Sequence, residues 1–468
     1  MTSELLIGHG SPNARIAVRA GAPIGAGQFV ADATALARQL PAAQYVLNCC
    51  RDRYLFAVGF CAALIAGRTS LLPPSRTPET LAQLAIRYPD TVDLTDKAGC
   101  VHLLTGRAAP AQWQTNADAP AWPPPPIARE HIAAIAFTSG STGEPQAQLK
   151  TWGGVVDGAR AETVALQLDD APMDDVVLIG TVSPQHMYGF ESTVLMALHG
   201  PCAFAAEHPL HPDEVRAVSA QIGGRRVLIT APVHLRALVE AAQSMPALDR
   251  VVSATAPLSF ELAQRCESMW ATRVFEVYGC TETGMVATRR TVDGPVWTTI
   301  RDVRIEWRDG EFRAHGGHVQ PGPLADRLRP ITDSTFELEG RAGDVVNIGG
   351  KRASLEGLNR LLLSIDGVID GAIFEPPALA DSTREQRLMA LVVAPEVSRS
   401  ELLAALRAQI DAAFLPRPLL RVDSLPRNAQ GKLPRAELLA VAENALRATQ
   451  RQPKASRTVA RAGDARVD

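Results

Sequence analysis

Residues Thr138–Gly143 read Thr-Ser-Gly-Ser-Thr-Gly and follow the apolar run His-Ile-Ala-Ala-Ile-Ala at residues 131–136. A loop of glycines and hydroxyls at the end of a buried strand exposes backbone N–H groups and Oγ atoms without side-chain bulk. Such donors suit phosphate oxygens. The loop lacks the Gly-Lys-Ser/Thr that closes a P-loop, and no Gly-x-Ser-x-Gly elbow marks a serine hydrolase. The competing reading of this loop by itself is a polar surface turn. Two further clusters have metal-ligand spacing, His208/His211 and His315/His318. Neither has additional ligands nearby in sequence, so a zinc site is not expected.

These residues need a frame, and the rest of the chain supplies it. At 468 residues the chain is long enough for two or three domains or subdomains. Hydrophobic residues make up 46% and the mean hydropathy is +0.00, which describes a globular protein with a large core. The net charge of −3, from 47 basic and 50 acidic residues, gives no reason to expect nucleic acid or an anionic membrane as partner. Seven cysteines without a CxxC pair fit reduced thiols and a cytoplasmic location. The N-terminus has neither the basic nor the apolar region of a signal peptide. The longest apolar run, Tyr54–Gly67, has 14 residues, whereas a spanning helix needs about 20. A buried helix is expected there and membrane insertion is not.

From Val46 to Tyr88 the pattern is helix, short strand, helix. The prolines of Pro120–Pro126 form a stiff connector. Strand candidates at Ile132–Phe137, Val176–Val182, Arg225–Thr230 and Asp249–Ala254 alternate with helical segments, which predicts an α/β domain with a largely buried sheet. After Trp297 the texture becomes short alternating pieces typical of antiparallel strands. The reading is an α/β N-terminal domain of several subdomains, α/β layers plus a small β-rich part, at residues 1–340. A small, mobile α+β domain at 341–445 and a disordered, basic tail at 446–468 follow.

Seven motifs now occur in order: Thr138–Pro145 (TSGSTGEP), Ser183–Ser192 (SPQHMYGFES), Ser253–Leu262 (SATAPLSFEL), Val277–Gly284 (VYGCTETG), Leu324–Arg327 (LADR), Glu339–Asn359 (EGRAGDVVNIGGKRASLEGLN) and Arg427–Arg435 (RNAQGKLPR). In this order the chain resembles the acyl-adenylate-forming superfamily of acyl- and aryl-CoA synthetases, adenylation domains and luciferases. A weaker resemblance is to stand-alone ligases of bacterial aryl-polyene pathways. The superfamily activates a carboxylic acid with ATP to an acyl adenylate, then passes the acyl group to a thiol. The resemblance implies that Thr138, Ser139, Gly140, Ser141, Thr142 and Gly143 wrap the β- and γ-phosphates. It implies Mg²⁺ on Glu282, α-phosphate on Thr281, and adenine between Tyr278 and the segment Ala254, Thr255, Ala256. Asp326 lies fourteen residues before Gly340, the family's spacing for its ribose-binding aspartate, although LADR departs from the usual Thr-Gly-Asp. Arg341 and Arg352 become further nucleotide contacts. Lys432 matches the catalytic lysine, which bridges the acid and the α-phosphate, and His186 stands beside the carboxylate pocket.

Where many relatives have a lysine after the loop's proline, this chain has Gln146, and Lys150 comes four residues later. Either Lys150 reaches the phosphates, or the protein is an ATP-binding relative without turnover. Glu282, Asp326, Arg341 and Lys432 together favour turnover. The Ser183–Ser192 segment is similar to the His-hydrophobe-Tyr pattern of phenolic-acid ligases. Tyr188 is thus expected to offer its hydroxyl to a phenolic substrate, with Glu191 positioned for a hydroxyl or an amine. The expected substrate is a small hydroxyaryl acid such as a hydroxybenzoate or hydroxycinnamate, with a medium-chain fatty acid as the alternative. The acceptor is coenzyme A or the phosphopantetheine thiol of a free-standing acyl carrier protein. The resemblance also places the hinge of the small domain at Gly343.

Overall fold

In the computed structural model the four strand candidates are strands, Ile132–Ser139, Val176–Gly180, Arg225–Thr230 and Arg250–Ser253, because β-branched and aliphatic residues bounded by turn formers can be buried on both faces of a sheet. The structure describes residues 2–73, 76, 78–97, 100–104, 111–113, 122–139, 145–169, 175–242, 244–341, 345–348, 351–376, 387–428 and 431–451. Two compact units result, Met1–Asp344 with Ala429–Lys432, and Val345–Asn428 with Leu433–Asp468.

The large unit is built on two sheets. A seven-stranded sheet has the order Pro145–Thr151, Ile132–Ser139, Thr69–Leu72, Tyr45–Asn48, Thr91–Lys97, Cys100–Leu104, Ala111–Trp113. At its edge Ile132–Ser139 and Pro145–Thr151 form an antiparallel hairpin, with Thr138 opposite Gln146 and Ala134 opposite Lys150. The second sheet has eleven strands. Its centre is parallel, running from Arg273–Cys280 through Arg250–Ser253, Arg225–Thr230 and Val176–Gly180 to Cys202–Ala205. Numbered along the chain from Val176, these five strands lie in the spatial order 2-1-3-4-5. In such a sheet a crevice opens at the carboxyl ends of strands 1 and 3, where successive connections leave in opposite directions. That crevice lies between the residues following Gly180 and those following Thr230.

The helices flanking the sheets are those the sequence called for. The run at Tyr54–Gly67 belongs to helix Arg53–Ile65, which is buried along nearly its whole length. Its first turn is capped by Asp52, whose carboxylate accepts from the Leu55 N–H at 2.9 Å. A three-stranded antiparallel sheet, Arg304–Arg308, Glu311–His315 and Gly322–Leu324, forms the small β-rich part. Strand Thr335–Arg341 pairs with Val296–Thr299 and Asp326–Thr332 inside the eleven-stranded sheet. The large unit therefore runs past the expected boundary at residue 340, since Gly340 and Arg341 are still paired with Arg327 and Asp326.

The small unit has a hairpin, Val345–Ile348 with Lys351–Ser354, and a sheet of Asp370–Phe374, Met389–Val393 and Leu419–Arg421. Helices Leu355–Leu363 and Arg399–Gln409 contribute Leu358, Leu362, Leu402 and Leu406 to its core. Helix Arg435–Arg451 continues past Leu446, into the stretch expected to be disordered. Residues 452–468 and Gly343 lie outside the described residues. Among the described residues no helix is long and apolar enough to cross a membrane.

Candidate active site

Three of the motif loops leave the same edge of the parallel strands, and that common origin gathers them. Ala254–Pro257 follows strand Arg250–Ser253; Gly279–Thr283 lies at and beyond the end of the neighbouring strand Arg273–Cys280. Thr181–His186 follows Val176–Gly180. At the crevice Thr181 Oγ1 lies 2.8 Å from Thr230 Oγ1 and 2.9 Å from His234 Nδ1.

Tyr278 and Asp326, 48 residues apart in sequence, meet directly: the Tyr278 hydroxyl donates to Asp326 Oδ2 at 2.8 Å. Arg341 stands opposite Asp326 in the antiparallel ladder. The Tyr278 ring is steadied edge-on by Phe336, at a centroid distance of 5.8 Å, and by the tilted Trp297 at 5.7 Å. A half-buried tyrosine, a carboxylate and an arginine position thus occupy one corner, which suits an aromatic base with a vicinal diol.

Thr255 has a φ of +77°. A β-branched residue rarely adopts that conformation, and such strain concentrates at functional sites. Its loop is anchored by a residue the sequence reading missed. Glu276, buried in strand Arg273–Cys280, accepts from the Leu258 N–H at 2.9 Å and from Arg289 Nε at 2.7 Å. It also accepts from Thr291 Oγ1 at 2.8 Å. The carboxylate joins loop and strand, a link that residues 18 apart give no linear sign of.

Thr281 and Glu282 are half-buried at the strand exit. Lys150 is brought to them by a contact with the main chain. It is only 6% exposed, and Nζ donates to the Glu282 carbonyl at 2.9 Å. Burial holds its pKa below the ordinary lysine value, and the charges of Glu191, Cys280 and Glu282 oppose that shift. Lys150 therefore fixes the main chain of the Glu282 turn. The single carboxylate of Glu282 fits what Mg²⁺ takes from a protein, one or two carboxylates with the rest of its shell from phosphate and water. Among the described residues no cluster of three or more His, Cys, Asp or Glu could hold a metal by itself. His208 and His318, from the two HxxH pairs, each bond a main-chain carbonyl, of Thr181 at 3.1 Å and of Met285 at 2.8 Å.

The segment expected to line the acid pocket is a short helix, Met187–Gly189, running into a π-helical stretch, Phe190–Leu195. Such stretches recur at functional sites. Gly189 is required there, since a Cβ would overlap the Ser183 carbonyl oxygen. His186 precedes the helix. Burial, reinforced by the charges of Lys432 and Arg76, pushes its pKa down to about 4, so the imidazole is neutral at pH 7. Tyr188 corrects an expectation: its hydroxyl donates to the Val252 carbonyl at 2.9 Å. The ring can line a pocket, but the hydroxyl is satisfied at the strand end and is not offered to a substrate.

Glu191 is 7% exposed, and none of the described residues donates a hydrogen bond to it. Its Oε1 stands 3.2 Å from where a Cβ on Gly284 would be. Burial raises its pKa to about 7 against the pull of Lys150. Neighbouring Ser192 is engaged elsewhere, donating to the buried Glu162 at 2.6 Å.

Lys432 is exposed and groups with the large unit. Residues 140–143 lie outside the described residues. Thr138, Ser139 and Arg352 lie in strands.

The family profile of AMP-binding enzymes matches residues 8–308. A 4-coumarate–CoA ligase of Rhodobacter capsulatus is 30% identical over 312 residues, 65% of this chain and 76% of that protein. A probable 2-succinylbenzoate–CoA ligase of Mycobacterium tuberculosis is 26% identical over 333 residues, 66% of this chain and 84% of that one. In fold, ATP-bound MatB from Rhodopseudomonas palustris superposes with a TM-score of 0.72 at 18% identity, covering 94% of this chain and 96% of that one. The chain belongs to the AMP-binding enzyme family. Within that family it is an acid–thiol ligase, of the acyl- and aryl-CoA ligase class.

Proposed function

We propose that the enzyme activates a small hydroxyaryl acid with ATP and transfers the acyl group to a thiol. The observation that carries the choice of acid is Glu191, a buried carboxylate with no donor among the described residues, beside Gly284. A ring hydroxyl would supply that donor. A fatty acyl chain would leave the carboxylate buried and unsatisfied, which is costly. The 4-coumarate specificity stated for the Rhodobacter relative points the same way.

In the first step a carboxylate oxygen of the acid attacks the α-phosphorus of ATP and pyrophosphate leaves. Tyr278, Asp326 and Arg341 hold the nucleoside, and the 138–143 loop receives the β- and γ-phosphates. Thr281 donates to the α-phosphate, and Lys432 offsets the charge shared by the two anions. Neutral His186 donates an N–H to the carboxylate without forming an ion pair that would hold it in the ground state. Mg²⁺ on Glu282 would supply further charge neutralisation at the phosphates. In the second step a thiolate attacks the acyl carbonyl and AMP leaves. The acceptor is coenzyme A or a carrier-protein phosphopantetheine. The free thiols of the described cysteines accord with a reducing, cytoplasmic setting.

Acid-dependent exchange of labelled pyrophosphate into ATP tests this reading. Hydroxybenzoates, hydroxycinnamates, their deoxy analogues and octanoate form the panel. The hydroxylated aryl acids are expected to give the highest kcat/KM. A preference for octanoate would refute the choice of acid.

A further inference from the structure

Arg53 is the first residue of helix Arg53–Ile65, and no motif draws attention to it. It is 0% exposed. Its guanidinium spends all four η hydrogens on main-chain carbonyls. Nη1 donates to Ala205 at 3.0 Å and Glu207 at 2.7 Å. Nη2 donates to Gly180 and Val182, both at 3.0 Å. No carboxylate lies within ion-pair distance among the described residues. Burial lowers its pKa to about 10, so the group stays charged at pH 7.

The place of these carbonyls explains the arrangement. The parallel ladder between Val176–Gly180 and Cys202–Ala205 ends at the pair Leu178 and Phe204. Beyond that rung the two strands no longer pair with each other, although Gly180 still pairs with Ile229 and Ala205 with Val18 on their other sides. Arg53 bridges the gap, one η nitrogen to each chain. The same segment makes a second attachment, because Gln185 Nε2 donates to the carbonyl of Cys50. Thus Thr181–His186 is fastened near its start by Arg53 and near its end through Gln185. Gly180 leaves room for this, since a Cβ there would overlap Arg53 Nη2.

We infer that Arg53 is the positioning residue of the acid-binding loop, fixing where His186 stands by tying the two strand ends together beyond their last ladder rung. A buried charge bonded only to carbonyls is a poor device for bulk stability, where an apolar side chain of similar volume serves as well. It is a good device for setting a loop, because four directional bonds define both strand ends at once.

The inference rests on the reading that His186 contacts the acid. Arg53→Lys keeps charge and stem but cannot make four planar bonds, and Gly180→Ala disturbs the guanidinium from the opposite side. For each variant the KM for the acid is measured by pyrophosphate exchange, and the dissociation constant of AMP by calorimetry. Displacing a loop by about 1 Å costs roughly 10²-fold. Both variants are expected to raise the acid KM by about that factor while AMP affinity stays within about twofold. Acid KM and AMP affinity weakening together, or an unchanged acid KM in both variants, overturns the inference. Should Arg53→Lys not fold, Gly180→Ala decides alone. Wild-type enzyme without exchange on any acid overturns the reading of the site, and the inference with it.

Discussion

Glu191 makes the sharpest prediction, because both its burial and its proposed contact with a ring hydroxyl have measurable consequences. In the ligand-free enzyme its pKa is raised from 4.5 to about 7 by burial. The folded state therefore binds more protons than the unfolded state between those values, and stability falls as pH rises through that window. Moving the carboxyl's titration from 4.5 to about 7 corresponds to roughly 3–4 kcal/mol across that window. Glu191→Gln should flatten that part of the stability–pH profile, measured by urea unfolding between pH 4.5 and pH 8. A ring hydroxyl donating to the carboxylate forms a charge-assisted hydrogen bond, which contributes about 1.5–3 kcal/mol. That is roughly 10- to 100-fold in discrimination between a hydroxyaryl acid and its deoxy analogue. Glu191→Leu should lose this discrimination and Glu191→Gln should retain part of it. The assay is pyrophosphate exchange with matched acid pairs on the same preparations. If the ratio of kcat/KM values is the same in wild type and Glu191→Leu, the carboxylate does not read the ring and the substrate assignment fails.

Lys432→Ala should reduce pyrophosphate exchange by about 10²–10³-fold, the usual effect of losing one preorganised charge, with an unchanged circular dichroism spectrum; a loss within about threefold would remove Lys432 from the first step. Tyr278→Phe releases Asp326 from its 2.8 Å hydrogen bond and should raise the KM for ATP about tenfold while leaving the acid KM unchanged, in steady-state kinetics with each substrate varied. Gly189→Ala forces a Cβ onto the Ser183 carbonyl and should cost about 1–3 kcal/mol, seen as a lower urea midpoint. A midpoint equal to wild type would mean that the helix entry shifts freely.

The strands and their order of motifs were legible because their signal is local. Runs such as Val176–Ile179 and Val227–Ile229 are continuous aliphatic stretches, and only a doubly covered sheet buries them so fully. That Tyr278 and Asp326 belong to one corner was legible because the adenylate-forming resemblance fixes residue types at set distances along the chain, and the structure joins the two by a hydrogen bond. Side-chain direction was not legible. Tyr188 looked like a donor for substrate, but its hydroxyl reaches the Val252 carbonyl at the end of a neighbouring strand. Lys150 looked like a substitute phosphate ligand, yet it sits opposite Ala134 in the hairpin and bonds the main chain of Glu282. Arg53 gave no sign at all, since all its partners are main-chain carbonyls more than a hundred residues away, and Glu276 gave none because no spacing along the chain marks its link to the Leu258 N–H. A backbone carbonyl has no identity that a sequence could display.

The central claim is that the acid is activated as an acyl adenylate, and the fate of one oxygen tests it most directly. The enzyme is given a hydroxyaryl acid labelled with oxygen-18 in both carboxylate positions, together with ATP, Mg²⁺ and coenzyme A, and the released AMP and pyrophosphate are weighed by mass spectrometry. Attack of the carboxylate on the α-phosphorus leaves the bridging oxygen on phosphorus when the thiol displaces AMP. The account predicts AMP carrying one oxygen-18 atom and pyrophosphate carrying none. AMP without the label, or the label in pyrophosphate or inorganic phosphate, would contradict it.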